Sequence, residues 1–117
     1  MTSILASIKK LLGIPEEYEH YDADIIMHIN SAIAVLRQLG IGPSSGYSIT
    51  GGTETWADYL DNPTFYEDAK MYIYLRTRQI FDPPTSNAAM NALDAHLREY
   101  EWRLLVDYNS TNNIGGE

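Results

Sequence analysis

A chain of 117 residues has room for one modest hydrophobic core, and its hydrophobic content of 44% argues against disorder. The absence of cysteine excludes disulfide frameworks and thiolate zinc sites. A net charge of −8, from 16 acidic and 8 basic residues, repels phosphate backbones and argues against tight binding to DNA or RNA.

The sequence gives no sign of membrane insertion or export. No apolar run approaches the roughly 20 residues that cross a bilayer. Near the N-terminus, Lys9 and Lys10 follow the apolar residues, whereas a signal peptide places its basic residues first. We therefore expect no membrane partner and a cytoplasmic origin.

Two helices are predicted in the first forty residues. Ser3 can cap the first helix, which Gly13 ends in a left-handed conformation, with Pro15 preventing continuation. Asp22 is a good N-cap for the second helix, whose apolar residues repeat at helical spacing until Gly40. The residues between the two helices are polar and acidic, which predicts a link.

Residues 40–52 are rich in glycine and serine and predict a loop. Within it, the segment from Tyr47 to Thr50 alternates apolar and polar residues, so a short strand or arm could form there. Thr53 or Thr55 is expected to start a brief helix through Trp56 and Leu60. The glycine-rich loop is therefore predicted to carry a flexible arm next to the aromatic residue Trp56.

The second half of the chain predicts two longer helices. One runs from about Thr64, after the Asn62-Pro63 start signal, to Phe81, because Pro83-Pro84 stops it. The next is capped by Thr85, Ser86 or Asn87. Its main apolar seam comprises Met90, Leu93, Leu97, Tyr100 and Leu104, and a second apolar face comprises Trp102, Leu105 and Val106.

The predicted architecture is therefore all-α: a small bundle of about five helices with a glycine-rich loop. We expect one helical domain over residues 1–108 and a disordered C-terminal tail over residues 109–117, where Asn, Ser, Thr and Gly dominate. The second apolar face of the last helix exceeds what one small core needs. It predicts association with another copy or a partner.

Catalytic and cofactor motifs are missing from the sequence. His20, Asp24 and His28 are spaced four apart and could approach a metal, but His20 precedes the predicted cap, so a solvated helix start is favoured over a metal site. The glycine-rich loop has no lysine and cannot be a P-loop. No serine has a triad motif around it. The sequence predicts neither enzyme activity nor a cofactor.

Several residues are candidates for contact with another subunit. Arg76 and Arg78 lie in the most apolar helix, where each either extends to solvent or pairs within its own chain, or else forms a salt bridge to a neighbour. For Trp56 a core position is favoured over an interface position. For Tyr47 and Ile49, in the flexible arm, contact with a neighbour is favoured.

A series of short segments resembles the head–tail connector (adaptor) proteins of tailed bacteriophages. In order, these segments are Leu11-Leu12-Gly13-Ile14, His28-Ile29-Asn30-Ser31, Gln38-Leu39-Gly40-Ile41-Gly42-Pro43, Thr55-Trp56 with Leu60, Tyr72-Ile73-Tyr74-Leu75 with Arg78, Phe81-Asp82-Pro83-Pro84 and Glu99-Tyr100-Glu101-Trp102-Arg103-Leu104. The resemblance runs from about Ile4 to Val106. It consists of structural segments and contains no active-site motif.

The resemblance implies a helical subunit of a phage or prophage virion that assembles into a ring of about a dozen copies beneath the portal. The ring would extend the DNA channel, let DNA pass without specific binding, and dock the next connector or a tail protein. It implies a virion location after assembly in the bacterial cytoplasm. The alternative is a small regulatory or antitoxin-like helical protein that binds its partner as a dimer.

Overall fold

The computed structural model describes residues 3–114, with side chains up to Tyr108. Within this range the chain forms five α-helices and one short 3-10 helix. These are α1 (Ile4–Leu12), α2 (Asp22–Gln38), α3 (Trp56–Tyr59), the 3-10 helix (Pro63–Phe65), α4 (Tyr66–Phe81) and α5 (Asn87–Ile114). The predicted all-α bundle is confirmed.

The sequence signals at the helix starts act largely as predicted. The Ser3 side chain accepts a hydrogen bond from the Ala6 amide, at 3.0 Å, and caps α1. Thr55 and Asp58 form a capping box at α3, which satisfies two backbone donors reciprocally. Of the three residues proposed to cap α5, Ser86 does so, since its Oγ accepts from the Ala89 amide at 3.1 Å.

The start of α2 differs from the prediction. Asp22 is the first residue of the helix, and Tyr21 occupies the cap position without a side-chain hydrogen bond to the helix. The Asp22 carboxylate is directed instead toward the Lys9 ammonium, at 2.8 Å. The ion pair replaces the expected cap because it neutralises a buried lysine, which a helix cap would leave unpaired.

The predicted β arm does not form. Within residues 3–114 the only β pairing is an isolated bridge between Ser3 and Thr55. The backbone of Ile49 is instead held by the Asn30 side chain, which donates to the Ile49 carbonyl at 2.9 Å and accepts from its amide at 2.7 Å. Because a side chain occupies both backbone groups, this segment has no need of a partner strand.

Helix α4 is the centre of the bundle, since α1, α2 and α5 all pack against it. Its Tyr72 and Ile73 are fully buried, and the core between the helices is otherwise mostly aliphatic. The other main core residues are Ile4 and Ile8 of α1, Ile25, Ile29, Ile33 and Leu36 of α2, and Leu93, Leu97 and Leu104 of α5.

Helix α5 continues to Ile114, past the domain boundary predicted at Tyr108. The Tyr108 hydroxyl accepts from the Gly42 amide at 3.3 Å, and its ring lies 5.0 Å from that of Phe65. These contacts attach α5 to the glycine-rich loop and to the 3-10 helix near the C-terminal end of α5. The boundary itself stays a prediction, and residues 115–117 lie outside the described part of the chain.

Candidate interaction surfaces

The outward face of α5 leaves a large aromatic side chain and a neighbouring valine uncovered in the monomer. Trp102 is 65% exposed and Val106, one turn later, is also exposed, while Leu105 beside them is half-buried. The helical repeat places Trp102 opposite Leu97 and Leu104, which are buried against the bundle. The predicted second apolar face therefore exists as a surface in the folded monomer.

Arg76 and Arg78 are both half-buried on α4. Among the side chains the structure describes, neither guanidinium forms a salt bridge with a carboxylate. The same-chain pairing considered for these arginines is thus not found in this part of the chain. Two partly desolvated charges remain available to a neighbouring molecule.

A hydrogen bond between α4 and α5 lies close to Arg76. The Tyr72 hydroxyl donates to a Glu101 carboxylate oxygen at 2.9 Å. Burial raises the pKa of Tyr72, as do the hydrogen bond to Glu101 and the charge of that carboxylate, and the Arg76 charge partly offsets them. The phenol therefore stays protonated and acts as a donor that joins the two helices.

The residues of the predicted arm lie mostly inside the monomer. Ile49 is only 1% exposed and belongs to the core, so its predicted contact with a neighbour is wrong for the folded monomer: the Asn30 side chain holds its backbone against α2. Tyr47 is half-buried and stacks on Tyr59 with ring centroids 5.1 Å apart. Only part of the Tyr47 side chain remains accessible.

Trp56 is a core residue, as the favoured interpretation predicted. It is 6% exposed, and its indole Nε1 donates to the Ser7 hydroxyl at 3.1 Å. The Ser7 hydroxyl donates in turn to the Ser3 carbonyl at 2.8 Å. Trp56 therefore attaches α3 to α1 and offers little surface to another subunit.

The link between α1 and α2 also forms a surface, although its sequence predicted only a polar connection. We call it the link surface and define it by Glu16, Glu17, Tyr18, Glu19, His20, Tyr21 and Phe81. The Tyr21 ring packs edge-on against His20, at 4.8 Å between centroids, and against Phe81, at 5.3 Å. The signal for this surface in the sequence was an acidic run with three aromatic rings in four consecutive positions, at Tyr18, His20 and Tyr21.

A metal site at His20, Asp24 and His28 was the less favoured interpretation of their spacing, and the described residues add no geometric support for it. His20 belongs to the aromatic link surface, whereas His28 is half-buried in the second turn of α2. Over the described residues, no group of three or more metal-ligating side chains is placed to hold an ion. None of the described helices is long and apolar enough to cross a membrane.

Fold and surfaces together define a small all-α subunit with an uncovered apolar face. A family model described as phage connector protein matches residues 4–111, nearly the whole chain. The chain therefore belongs to the phage connector protein family, and the resemblance drawn from its sequence segments is confirmed. Comparison with curated proteins found no match, and comparison with solved structures found none either.

Family membership supports a structural connector role in a phage virion and points to a protein that is not an enzyme. It also indicates interaction with other phage head or tail proteins. Family membership favours this role over the regulatory or antitoxin-like alternative. No feature of the described residues specifically supports that alternative.

Proposed function

We propose that this protein is a head–tail connector that assembles into a ring beneath the portal of the capsid. The ring extends the DNA channel and docks the next connector or a tail protein. The observation that carries the proposal is the exposed Trp102 on a member of the phage connector protein family, whose other tryptophan, Trp56, is buried in the core. After synthesis in the bacterial cytoplasm, the subunit resides at the head–tail joint of the virion.

The outward face of α5 supplies the apolar part of the ring contact. A tryptophan buries roughly 150–250 Å² when it is covered, and tryptophan is enriched among residues that dominate interface energies. Trp102 with Leu105 and Val106 therefore provides an anchor for the adjacent subunit. The accessible part of Tyr47 is a separate candidate for contact with a neighbouring subunit.

Arg76 and Arg78 supply the polar part. Each guanidinium is half-buried without a salt bridge to a described side chain, and the chain has an excess of carboxylates for a neighbour to present. Pairing with acidic residues of the next subunit would satisfy both charges and fix the orientation of the contact. The overall negative charge suits a channel wall that DNA slides past without being held.

The proposal is tested by measuring whether the protein joins the portal vertex of capsids. Capsids carrying the portal but lacking this protein are incubated with wild-type protein, Trp102→Gln or Met27→Gln and imaged by negative-stain microscopy. Met27 is the matched control because it is 59% exposed but lies on α2. We expect rings at the portal vertex with wild type and Met27→Gln, and at least tenfold fewer with Trp102→Gln.

Two results would contradict the proposal. One is a wild-type protein that never joins the vertex and forms only dimers by native mass spectrometry, as the regulatory alternative predicts. The other is equal ring occupancy for Trp102→Gln and Met27→Gln, which would remove α5 from the contact.

We also propose that residues 109–117 contribute to portal capture. Deleting them leaves the core residues up to Leu104 in place, so the thermal unfolding midpoint should stay near that of the full chain. Vertex occupancy at limiting protein concentration should fall. Unchanged occupancy would refute this role for the tail while leaving the ring contact intact.

A further inference from the structure

The link surface is an exposed cluster of aromatic rings. Tyr18 and Tyr21 are both exposed, and their ring centroids lie 5.9 Å apart. Tyr18 also lies 6.1 Å from His20, and Phe81 at the end of α4 adds a fourth ring beside Tyr21. Exposed aromatic groups that contact one another are typical of binding surfaces.

A buried lysine holds the link in this conformation. The Lys9 side chain is 2% exposed, and its ammonium donates to the Glu16 carbonyl at 2.8 Å and to the Tyr18 carbonyl at 2.7 Å. The same ammonium pairs with Asp22 at the start of α2. With these three contacts the link is fixed before any partner arrives, which lowers the entropy cost of binding.

The link surface is also strongly negative. Glu16, Glu17 and Glu19 are exposed, and none forms a salt bridge with a side chain of residues 3–108. Lys9, whose ammonium contacts the backbone of the link, is buried and already neutralised by Asp22. Three carboxylates surrounding aromatic rings thus present uncompensated charge.

We infer that the link surface binds an arginine-bearing segment of another protein of the head–tail joint. A guanidinium can stack on a tyrosine ring and pair with a carboxylate at the same time, which an ammonium does less well. Nucleic acids and anionic lipids are repelled by the three carboxylates. A second copy offers Arg76 and Arg78, but the proposed ring contact already uses them and the net charge of the copy is −8, so we assign the segment to a different protein. This inference rests on the proposed function for the identity of the partner.

The first experiment uses the full chain and needs no particle. Hexa-arginine and hexalysine peptides are titrated into ¹⁵N-labelled protein, and amide shifts are followed by NMR. We expect hexa-arginine to shift amides of residues 16–24 and 80–82 selectively, and to bind several-fold more tightly than hexalysine of equal charge. Equal affinity of the two peptides, or shifts spread over all acidic regions, would overturn the inference.

Two double variants separate this surface from general negative charge. Glu17→Gln with Glu19→Gln should weaken hexa-arginine binding roughly threefold to tenfold, because two exposed charge pairs are lost. Asp61→Asn with Asp107→Asn removes the same charge from exposed positions elsewhere and should change affinity less than twofold. Equal weakening by both double variants would contradict a specific site. Tyr18→Ser tests the ring separately and should also lower affinity.

The second experiment tests the partner in particles. Glu17→Gln with Glu19→Gln, combined with Tyr18→Ser, should still form rings at the vertex but should fail to retain the next component of the joint. Normal retention would overturn the inference and leave the proposed function standing. Loss of self-association in this variant would instead identify a second copy as the occupant. Failure of the wild-type protein to join the vertex would count against the proposed function itself.

Discussion

The packed centre of the molecule and the outward face of α5 both carry large aromatic residues, but in different surroundings. The centre buries Tyr72 and Trp56 within one chain and gives their polar atoms partners in Glu101 and Ser7. The α5 face leaves Trp102 in solvent. The difference shows that apolar content alone does not tell which residues of a helix are buried; the helices packed around them decide.

The largest effect should come from comparing the two tryptophans. Trp56→Ala should lower the free energy of unfolding by about 3–5 kcal/mol, because it leaves a cavity and removes the bond to Ser7. Trp102→Ala should change it by less than about 0.5 kcal/mol. Urea denaturation of the monomer measures both. Similar losses for the two variants would mean that the α5 face is also part of the core.

A second effect concerns the buried ion pair of the centre. Lys9→Met should destabilise the fold by about 2–4 kcal/mol, since it leaves the partly buried Asp22 unpaired and frees two carbonyl groups of the link. The exposed neighbour gives the control, and Lys10→Met should have almost no effect on urea denaturation. Equal stability of the two variants would show that Lys9 does not hold the link.

A third effect concerns the contact of the loop with α3. Gly42 has a φ of +91°, and a Cβ there would lie 2.9 Å from a Tyr59 ring carbon. Gly42→Ala should therefore cost about 2 kcal/mol. Gly52→Ala, where a Cβ meets open space, should be nearly neutral. The two thermal unfolding midpoints test this, and coincident values would exclude a tight approach at Gly42.

The smallest effect should be a pH dependence at the end of the loop. Burial raises the pKa of Glu54, but hydrogen bonds from the Thr50 amide and hydroxyl outweigh it, so the pKa lies below the ordinary 4.5. A lowered folded-state pKa contributes stability above the unfolded pKa, and this stability is lost as the pH falls through the folded value. The stability difference between wild type and Glu54→Gln should therefore shrink from pH 7 to pH 3. A difference that is constant with pH would contradict this.

Local signals in the sequence were sufficient for most of the fold. Ser3, Gly13, Thr55 and the pair Pro83-Pro84 mark helix ends through backbone chemistry that depends only on neighbouring residues. The second face of α5 was also readable, because helical spacing separates Trp102 from the main seam. These predictions needed no knowledge of distant contacts.

The predictions that were wrong depend on contacts between residues far apart in the chain. Ile49 lies in the core because Asn30, nineteen positions earlier, binds its backbone. Asp22 does not cap α2 because Lys9 of α1 reaches it. The position of Lys9, four residues after Leu5 and next to Ile8, was the available sign that this lysine points inward.

The ion pairs formed within the chain have a consequence for how particles should respond to salt. Lys9, Lys70, Arg98 and Arg103 are already matched to carboxylates of their own subunit, so only four of the eight basic residues, Arg76 and Arg78 among them, remain to offset repulsion between copies. Because screening at 0.15 M salt acts beyond about 8 Å, added electrolyte should bring like subunits together. The same electrolyte should loosen a cationic partner held at the link surface. As the salt concentration rises, association between like subunits should therefore increase while binding of the cationic partner decreases. Measuring both in a single sample would distinguish the two kinds of contact.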